Sequence, residues 1–281
     1  MRYRFIRFPG GLAKAVTLSY DDGCVSDKRF SDRITNAGLK CTFNICPCFN
    51  KLTEDEIRDY ILSRGHELAV HGKNHRAEGI VRPIEAINDI VSCRLELEEN
   101  FKTIIRGMAY PDTGINRLSN GNTYEQIKGY LMELDIAYSR TAGGDNAEFL
   151  LPEDWYRWMP TAHHNNEKLM EYIDKFLSMD LSTKLYWPFR DARLFYMWGH
   201  SYEFDANDNW HLLDKICDKL SGRDDIWYAT NMEIYEYVKA YNSLIYSADG
   251  RLDYNPTILD VWFDIGGKMY KICSGKTLNI E

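Results

Sequence analysis

Ala15-Val16-Thr17-Leu18-Ser19-Tyr20-Asp21-Asp22-Gly23 joins a strand-favouring run to a turn signal, with two carboxylates at the junction. Residues 25 to 37 then have a helical pattern that stops at Gly38. Cys41-Thr42-Phe43-Asn44-Ile45 is a second predicted strand. Thr53-Glu54-Asp55-Glu56 has the form of a capping box and opens a helix that ends near Gly65. Glu67-Leu68-Ala69-Val70 is a third strand and runs directly into His71. Further along, a long helix is expected from Arg82 to Phe101, with Ile84, Ile87, Ile90, Val91 and Leu95 at helical spacing and Pro83 in the first turn. Ile104 to Ala109 is a fourth strand, Tyr124 to Leu134 a helix and Ile136 to Ser139 a fifth strand. Residues 143 to 165 have no regular pattern. Lys168 to Met179 is helical, Leu194 to Gly199 a strand ending at His200, and Trp210 to Leu220 a helix. Ile226 to Ala229 is a strand and Met232 to Tyr241 a helix.

Repeated strand–helix units with polar residues at the strand ends predict an α/β fold, either a barrel or an open sheet. Sites in such folds form at the carboxyl ends of the strands. Beyond residue 243 the pattern is β only: Thr257 to Ile265, a Gly266-Gly267 turn, then Lys268 to Cys273. The expected organisation is one domain over 1–243 and a small β-hairpin extension over 244–281.

The chain has 281 residues, 44% apolar and 27% charged, which is ordinary for a globular protein. Its net charge of −8 and lack of basic runs exclude the clustered cations that a nucleic-acid backbone requires. No apolar stretch approaches the roughly 20 residues that span a bilayer. The basic start, Met1 to Arg7, is followed by no signal-like apolar region, so a cytoplasmic location is expected. Seven cysteines without a framework pattern are read as thiols. Aromatic residues make up 14%, with 19 Tyr and 7 Trp; a ring-rich core accounts for them before a sugar-binding cleft does. Nothing in the pattern specifies an oligomer.

Asp-Asp-Gly alone is a common turn, and a lone pair of histidines at i, i+4 arises by chance. His71 and His75, however, sit at a strand end beside the strand end that carries Asp21 and Asp22. Two imidazoles so spaced reach one cation if the segment turns helically.

The same residues resemble the polysaccharide deacetylases, the NodB-homology or carbohydrate esterase family 4 enzymes. Ser19-Tyr20-Asp21-Asp22-Gly23 is similar to that family's TFDDG motif. Gly65-His66-Glu67 followed by His71-Gly72-Lys73-Asn74-His75 is similar to its second motif, H-(S/T)-x-x-H, with Gly72 where Ser or Thr is usual. The Phe43 strand resembles the family's ATFF strand. The resemblance covers about residues 12 to 240 and implies a distorted, NodB-like (β/α) barrel of about seven strands.

It also implies roles. Asp22, His71 and His75 would hold one divalent transition metal, with zinc as the default and Co, Ni, Mn or Fe compatible with two His and a carboxylate. Asp21 would be the general base. His200, in Met197-Trp198-Gly199-His200-Ser201, would protonate the leaving amine, a role for which an imidazole is suited; a buried, hydrogen-bonded His is the competing reading. His66, which precedes its strand, is read as structural. The third motif departs from the family. R-x-P-Y is replaced by Ala109-Tyr110-Pro111-Asp112 and Gly114, similar to a subset with Y-P-x-x-G. The arginine that orients the base is missing, and Arg106, Arg140 and Arg157 are the candidates to replace it. By position, Asp112 N–H would be the oxyanion donor beside Tyr110 and Pro111. Trp155 to His164 fills the region of the family's aromatic motif, so Trp158 and His163 are candidate substrate contacts, and His163 and His164 suit substrate before metal. Asp205 either orients an imidazole or caps the next turn.

The implied function is removal of an acetyl group from an N-acetylated carbohydrate. Hydrolysis of another small-molecule amide or of an O-acetyl ester is the alternative on the same scaffold. A catalytically impaired sugar-binding protein that keeps its metal is the alternative from another class, motivated by the missing arginine.

Overall fold

The computed structural model describes residues 3–143, 146–181 and 190–280. The sequence readings at Met1, Arg2, residues 144–145 and residue 281 fall outside these.

In chain order the elements are β1 (Arg4–Arg7), β2 (Lys14–Asp22), α1 (Ser26–Asn36), β3 (Cys41–Ile45), α2 (Glu54–Tyr60), β4 (Glu67–Val70), α3 (Pro83–Phe101), β5 (Gly107–Ala109), α4 (Tyr124–Glu133), β6 (Tyr138–Arg140) and β7 (Ala162–His163). There follow α5 (Leu169–Ser178), β8 (Arg193–Gly199), α6 (Tyr202–Ala206), α7 (Trp210–Leu220), β9 (Ile226–Tyr228) and α8 (Asn231–Asn242). The chain ends in β10 (Ile245–Tyr246), β11 (Leu252–Tyr254), β12 (Val261–Ile265), β13 (Lys268–Ile272) and β14 (Thr277–Asn279).

Seven strands form a sheet in the order β6-β5-β4-β3-β2-β8-β7, and β9 pairs with the first residues of β2. All these pairings are parallel. The sheet curls into the distorted (β/α) barrel expected from the sequence. Its seam is closed by the segment after residue 157. There Trp158 bridges Arg140 of β6, and Ala162 pairs with Met197 of β8.

Alternation along β2 sorts its side chains. Val16, Leu18 and Tyr20 face outward and join the core formed with Phe30 and Ile34 of α1 and with Phe204, Leu213 and Ile216 of α6 and α7. Thr17, Ser19 and Asp21 face the barrel interior, which is buried but polar. Thr17 Oγ1 donates to Asn231 Oδ1 (2.9 Å), Asn44 Nδ2 donates to Ser19 Oγ (2.8 Å), and Thr42 and Tyr138 hydroxyls donate to the Glu67 carboxylate. These groups thereby partner one another inside the barrel, and the column leads up to Asp21.

The structure differs from the sequence reading at several places. In α3 the predicted stripe is wrong at its two ends: Ile84 and Leu95 are 56% and 60% exposed, whereas Ile90 lies on the buried face with Ala86, Asp89, Cys93 and Leu97. The fourth strand is only Gly107–Ala109, with Ile104 79% exposed. The irregular stretch contains β7 and a short 3-10 turn at Trp155–Arg157. The C-terminal hairpin β12–β13 takes a third strand from β1, in the order β1-β12-β13, while β10, β11 and β14 form a separate small sheet. No helix among the described residues is long and apolar enough to cross a membrane. All seven cysteines are free.

Candidate metal centre

Asp21 and Asp22 end β2, His71 follows β4, Tyr110 and Pro111 follow β5, Arg140 ends β6, His163 ends β7 and His200 follows β8. The parallel sheet therefore delivers all of them to one mouth of the barrel. Adjacent strand residues normally point to opposite faces. Asp22 has φ 82, a left-handed conformation that Asp tolerates better than most residues. This turn breaks the alternation, and both carboxylates reach the same imidazole: Asp21 Oδ2 lies 3.9 Å and Asp22 Oδ1 3.7 Å from His71 Nε2.

Asp22, His71 and His75 offer ligand atoms that all lie within 4.8 Å of one another. His75 Nε2 is 3.6 Å from Asp22 Oδ1. His71 is buried, and its Nδ1–H donates to the Ala109 carbonyl (2.9 Å), which leaves the Nε2 lone pair facing the carboxylates. Asp22 Oδ1 is buried without a hydrogen-bond partner. Two imidazole nitrogens and an unsatisfied carboxylate oxygen fit a divalent cation. Burial lowers the His71 pKa, with the nearby Asp21 opposing, so the neutral, ligand-competent form is favoured. The segment from His71 to His75 is not helical, as the sequence reading supposed. It is a loop turned by left-handed residues at Gly72 (φ 68) and His75 (φ 55).

Asp21 has different surroundings. Its Oδ2 accepts from Arg140 Nη2 (2.5 Å) and its Oδ1 from Asn44 Nδ2 (2.8 Å). Arg140 is completely buried and lies over the Trp198 ring at 4.4 Å. Burial works to raise the Asp21 pKa, but the positive charge of Arg140, with His71 and His200, outweighs it and holds the carboxyl below its usual range. Of the three candidate arginines, Arg140 thus contacts the proposed base. Arg106 pairs with Asp135, and Arg157 stacks on Tyr124.

His200 Nε2 lies 4.0 Å from Asp22 Oδ2, and its Nδ1 lies 3.5 Å from Glu203 Oε1. Burial disfavours its charged form, yet Glu203, Asp21 and Asp22 overcome this and raise its pKa. Glu203 also faces His163 Nε2 (3.2 Å) and His164 Nε2 (3.1 Å). Burial is likewise overcome at Glu203, whose pKa these three imidazoles lower. His163, His164 and Glu203 have the spacing of a second cation site. Hydrogen bonding favours a hydrogen-bonded cluster instead. Asn165 N–H donates to His163 Nδ1 (3.1 Å), which leaves the ring proton on Nε2, facing Glu203. His164 is fully buried, with Nδ1 3.1 Å from the Tyr20 hydroxyl. Gly199 makes room for this ring, because a Cβ there would meet His164 Nδ1 at 2.0 Å. Glu203 was not singled out in the sequence; its position three residues after His200, on a helical turn, was the available signal.

Asp205 does not orient an imidazole. It accepts from Ser26 Oγ (2.5 Å) and Trp210 Nε1 (2.7 Å). His66 is buried between Thr35 and the Cys41 N–H, away from the mouth. Tyr110 is buried, its hydroxyl donating to the Tyr156 carbonyl (2.9 Å). Pro111 is buried and Asp112 exposed with φ 52; among the described residues, the Asp112 N–H has no hydrogen-bond acceptor. Trp158, a candidate substrate contact, is 1% exposed and packs against Tyr138, Trp155 and Tyr196, so it is closed off from solvent. The indole beside His163 (4.7 Å between ring centroids) and His200 (6.0 Å) is that of the half-buried Trp198.

Residues 9–126 match the family model for polysaccharide deacetylase. No curated protein matches the chain. Among solved structures, a Mycobacterium smegmatis protein assigned as a polysaccharide deacetylase is 17% identical, with a TM-score of 0.57 over 86% of this chain and 96% of that one. A family 4 acetyl xylan esterase from Clostridium thermocellum, in complex with a cobalt ion, is 16% identical, with a TM-score of 0.50 over 79% and 90%. The Puue allantoinase is 11% identical, with a TM-score of 0.58 over 82% and 91%. The segment that matches the polysaccharide deacetylase model contains Asp21, Asp22, His71 and His75, and the chain shares its fold with these solved structures.

Proposed function

We propose that the chain is a metal-dependent hydrolase that removes the acetyl group from an N-acetylated carbohydrate. The observation that carries this reading is the division of labour between adjacent carboxylates. Asp22 has a buried oxygen without a partner beside two imidazoles, whereas Asp21 is held ionised by Arg140 and Asn44. Asp22, His71 and His75 are the cation's ligands. When bound, a divalent cation acidifies water and polarises an acyl carbonyl.

The chain's own groups then divide the proton transfers. Asp21 accepts the proton of the attacking water, a role that requires it to be ionised and in fixed orientation, both of which Arg140 and Asn44 supply. His200 Nε2 delivers a proton to the departing nitrogen, and the Glu203 carboxylate keeps the other ring proton on Nδ1. Asp112 N–H is the donor for the developing oxyanion. Trp198 and His163 flank the sugar. Trp158 is too enclosed for that task.

The impaired-binder reading loses its motive, because a buried arginine does contact Asp21. The likeness to an allantoinase keeps hydrolysis of another amide as the second reading. The test is product release by zinc- or cobalt-loaded protein from three substrate sets: N-acetylated sugars and oligosaccharides, O-acetylated sugars, and cyclic ureides. Acetate from the N-acetylated set is expected. Turnover confined to either other set would replace this reading by the corresponding alternative.

A further inference from the structure

His71 and His75 ligate from a loop, so something must fix the three residues between them. Asp89, nearly two turns inside α3 on its buried face, meets that loop at each residue. Its carbonyl accepts from Lys73 N–H (3.2 Å). Its Oδ1 accepts from both Asn74 N–H (2.9 Å) and Asn74 Nδ2 (2.6 Å). Its Oδ2 lies 2.5 Å from where a Cβ on residue 72 would stand. Gly72 has φ +68, so its lack of a side chain serves both the backbone turn and the room for the carboxylate. Asp89 is 4% exposed, and among the described residues the hydrogen bonds of its carboxylate go to this loop, through Oδ1, while Oδ2 has no partner.

We propose that Asp89 is a positioning residue for the metal centre: its carboxylate stands in the space vacated at Gly72 and clamps Asn74, and so sets His75 against Asp22 and His71. This rests on the reading of Asp22, His71 and His75 as metal ligands. It accounts for the departure at Gly72, because a larger residue there and a carboxylate at 89 exclude each other. Groups that orient a ligand are worth about 10- to 100-fold in metal affinity.

The test measures zinc affinity by competition with a chromophoric chelator, and the visible spectrum of the cobalt(II)-loaded protein, for wild type, Asp89→Ala and Asp89→Asn. Far-UV circular dichroism and metal-free melting report the fold. Asp89→Ala is expected to weaken zinc binding about tenfold or more and to change the cobalt d–d bands, with secondary structure intact. Asp89→Asn retains an oxygen acceptor for the Asn74 N–H and is expected to keep most of the affinity. If Asp89→Ala does not fold, Asn74→Ala, which removes one donor to the same carboxylate, is expected to weaken zinc binding to a smaller extent. Wild-type affinity and spectrum in the folded variants overturn the proposal, as does an equal loss in Asp89→Asn and Asp89→Ala, which would assign the effect to charge instead of geometry. A wild-type chain that holds neither zinc nor cobalt overturns the metal reading itself, and this proposal with it.

Discussion

Asp21 and Asp22 are adjacent in the chain, and their environments separate their tasks. Asp21 sits in a low-dielectric interior with a guanidinium as its main partner. Breaking such a pair leaves an uncompensated buried charge, which costs about 3–5 kcal/mol. Arg140→Met is therefore expected to lower the urea midpoint strongly. Because Arg140 holds the Asp21 pKa down, its loss raises that pKa. The acid limb of the rate profile then moves to higher pH, since the base works only when ionised. At the other end of the profile, His200, as the proposed acid, must be protonated, and Glu203 raises its pKa. Glu203→Gln removes that charge, so the alkaline limb is expected to move to lower pH, as measured by kcat/KM against pH; an unmoved limb would separate Glu203 from the proton transfer. Asp21, Asp22, His71, His75 and His200 were all legible because each lies at the end of a strand in a short motif. Arg140 was one of three arginines between which local sequence contains no means to choose. It is reached through strand order, 119 residues from Asp21 in sequence.

At the scale of elements, the helix starts were the most readable features. The box predicted at Thr53 is formed, with Thr53 Oγ1 accepting from Glu56 N–H and Glu56 returning the bond to Thr53 N–H. Thr230 and Glu233 form another at the start of α8, which supports the barrel floor through Asn231. Thr230→Ala is expected to cost about 1 kcal/mol in chemical denaturation with activity little changed. The ends of the α3 stripe were misread because Ile84 and Leu95 satisfy helical spacing while Ala86, Asp89 and Cys93 carry little hydrophobic signal. Two-residue β7 was invisible because so short a strand cannot show alternation. Its place is set by Gly199, across from His164. Gly199→Ala drives a methyl into that imidazole, a clash that costs on the order of 1–3 kcal/mol. It is expected to lower the melting temperature and to disturb His164 and its Glu203 contact.

At the scale of the molecule, the barrel brings seven strand ends to one mouth and uses the segment from Trp158 to His163 to close the ring. The hairpin near the C-terminus was legible from Gly266-Gly267. Its partner was not, because pairing of Arg4–Arg7 with Trp262–Ile265 joins opposite ends of the chain and leaves no local pattern. Val261, Phe263, Ile265, Tyr270 and Ile272 pack there with Ala240 and Leu244, and Arg190 pairs with buried Asp264. A chain cut after residue 243 would leave β1 unpaired and the end of α8 uncovered. It is expected to melt well below the full chain and to aggregate, as read by calorimetry and light scattering; an unchanged melting temperature would mean that the barrel does not need this sheet.

The central claim is that Asp22 is a metal ligand and Asp21 is not. Zinc stoichiometry by elemental analysis, after loading and desalting of wild type, Asp22→Ala and Asp21→Ala, tests it most directly. The account predicts one zinc per chain in wild type, none retained in Asp22→Ala, and one retained in an Asp21→Ala variant that releases no acetate. Equal zinc retention by the two variants, or none in wild type, would contradict it.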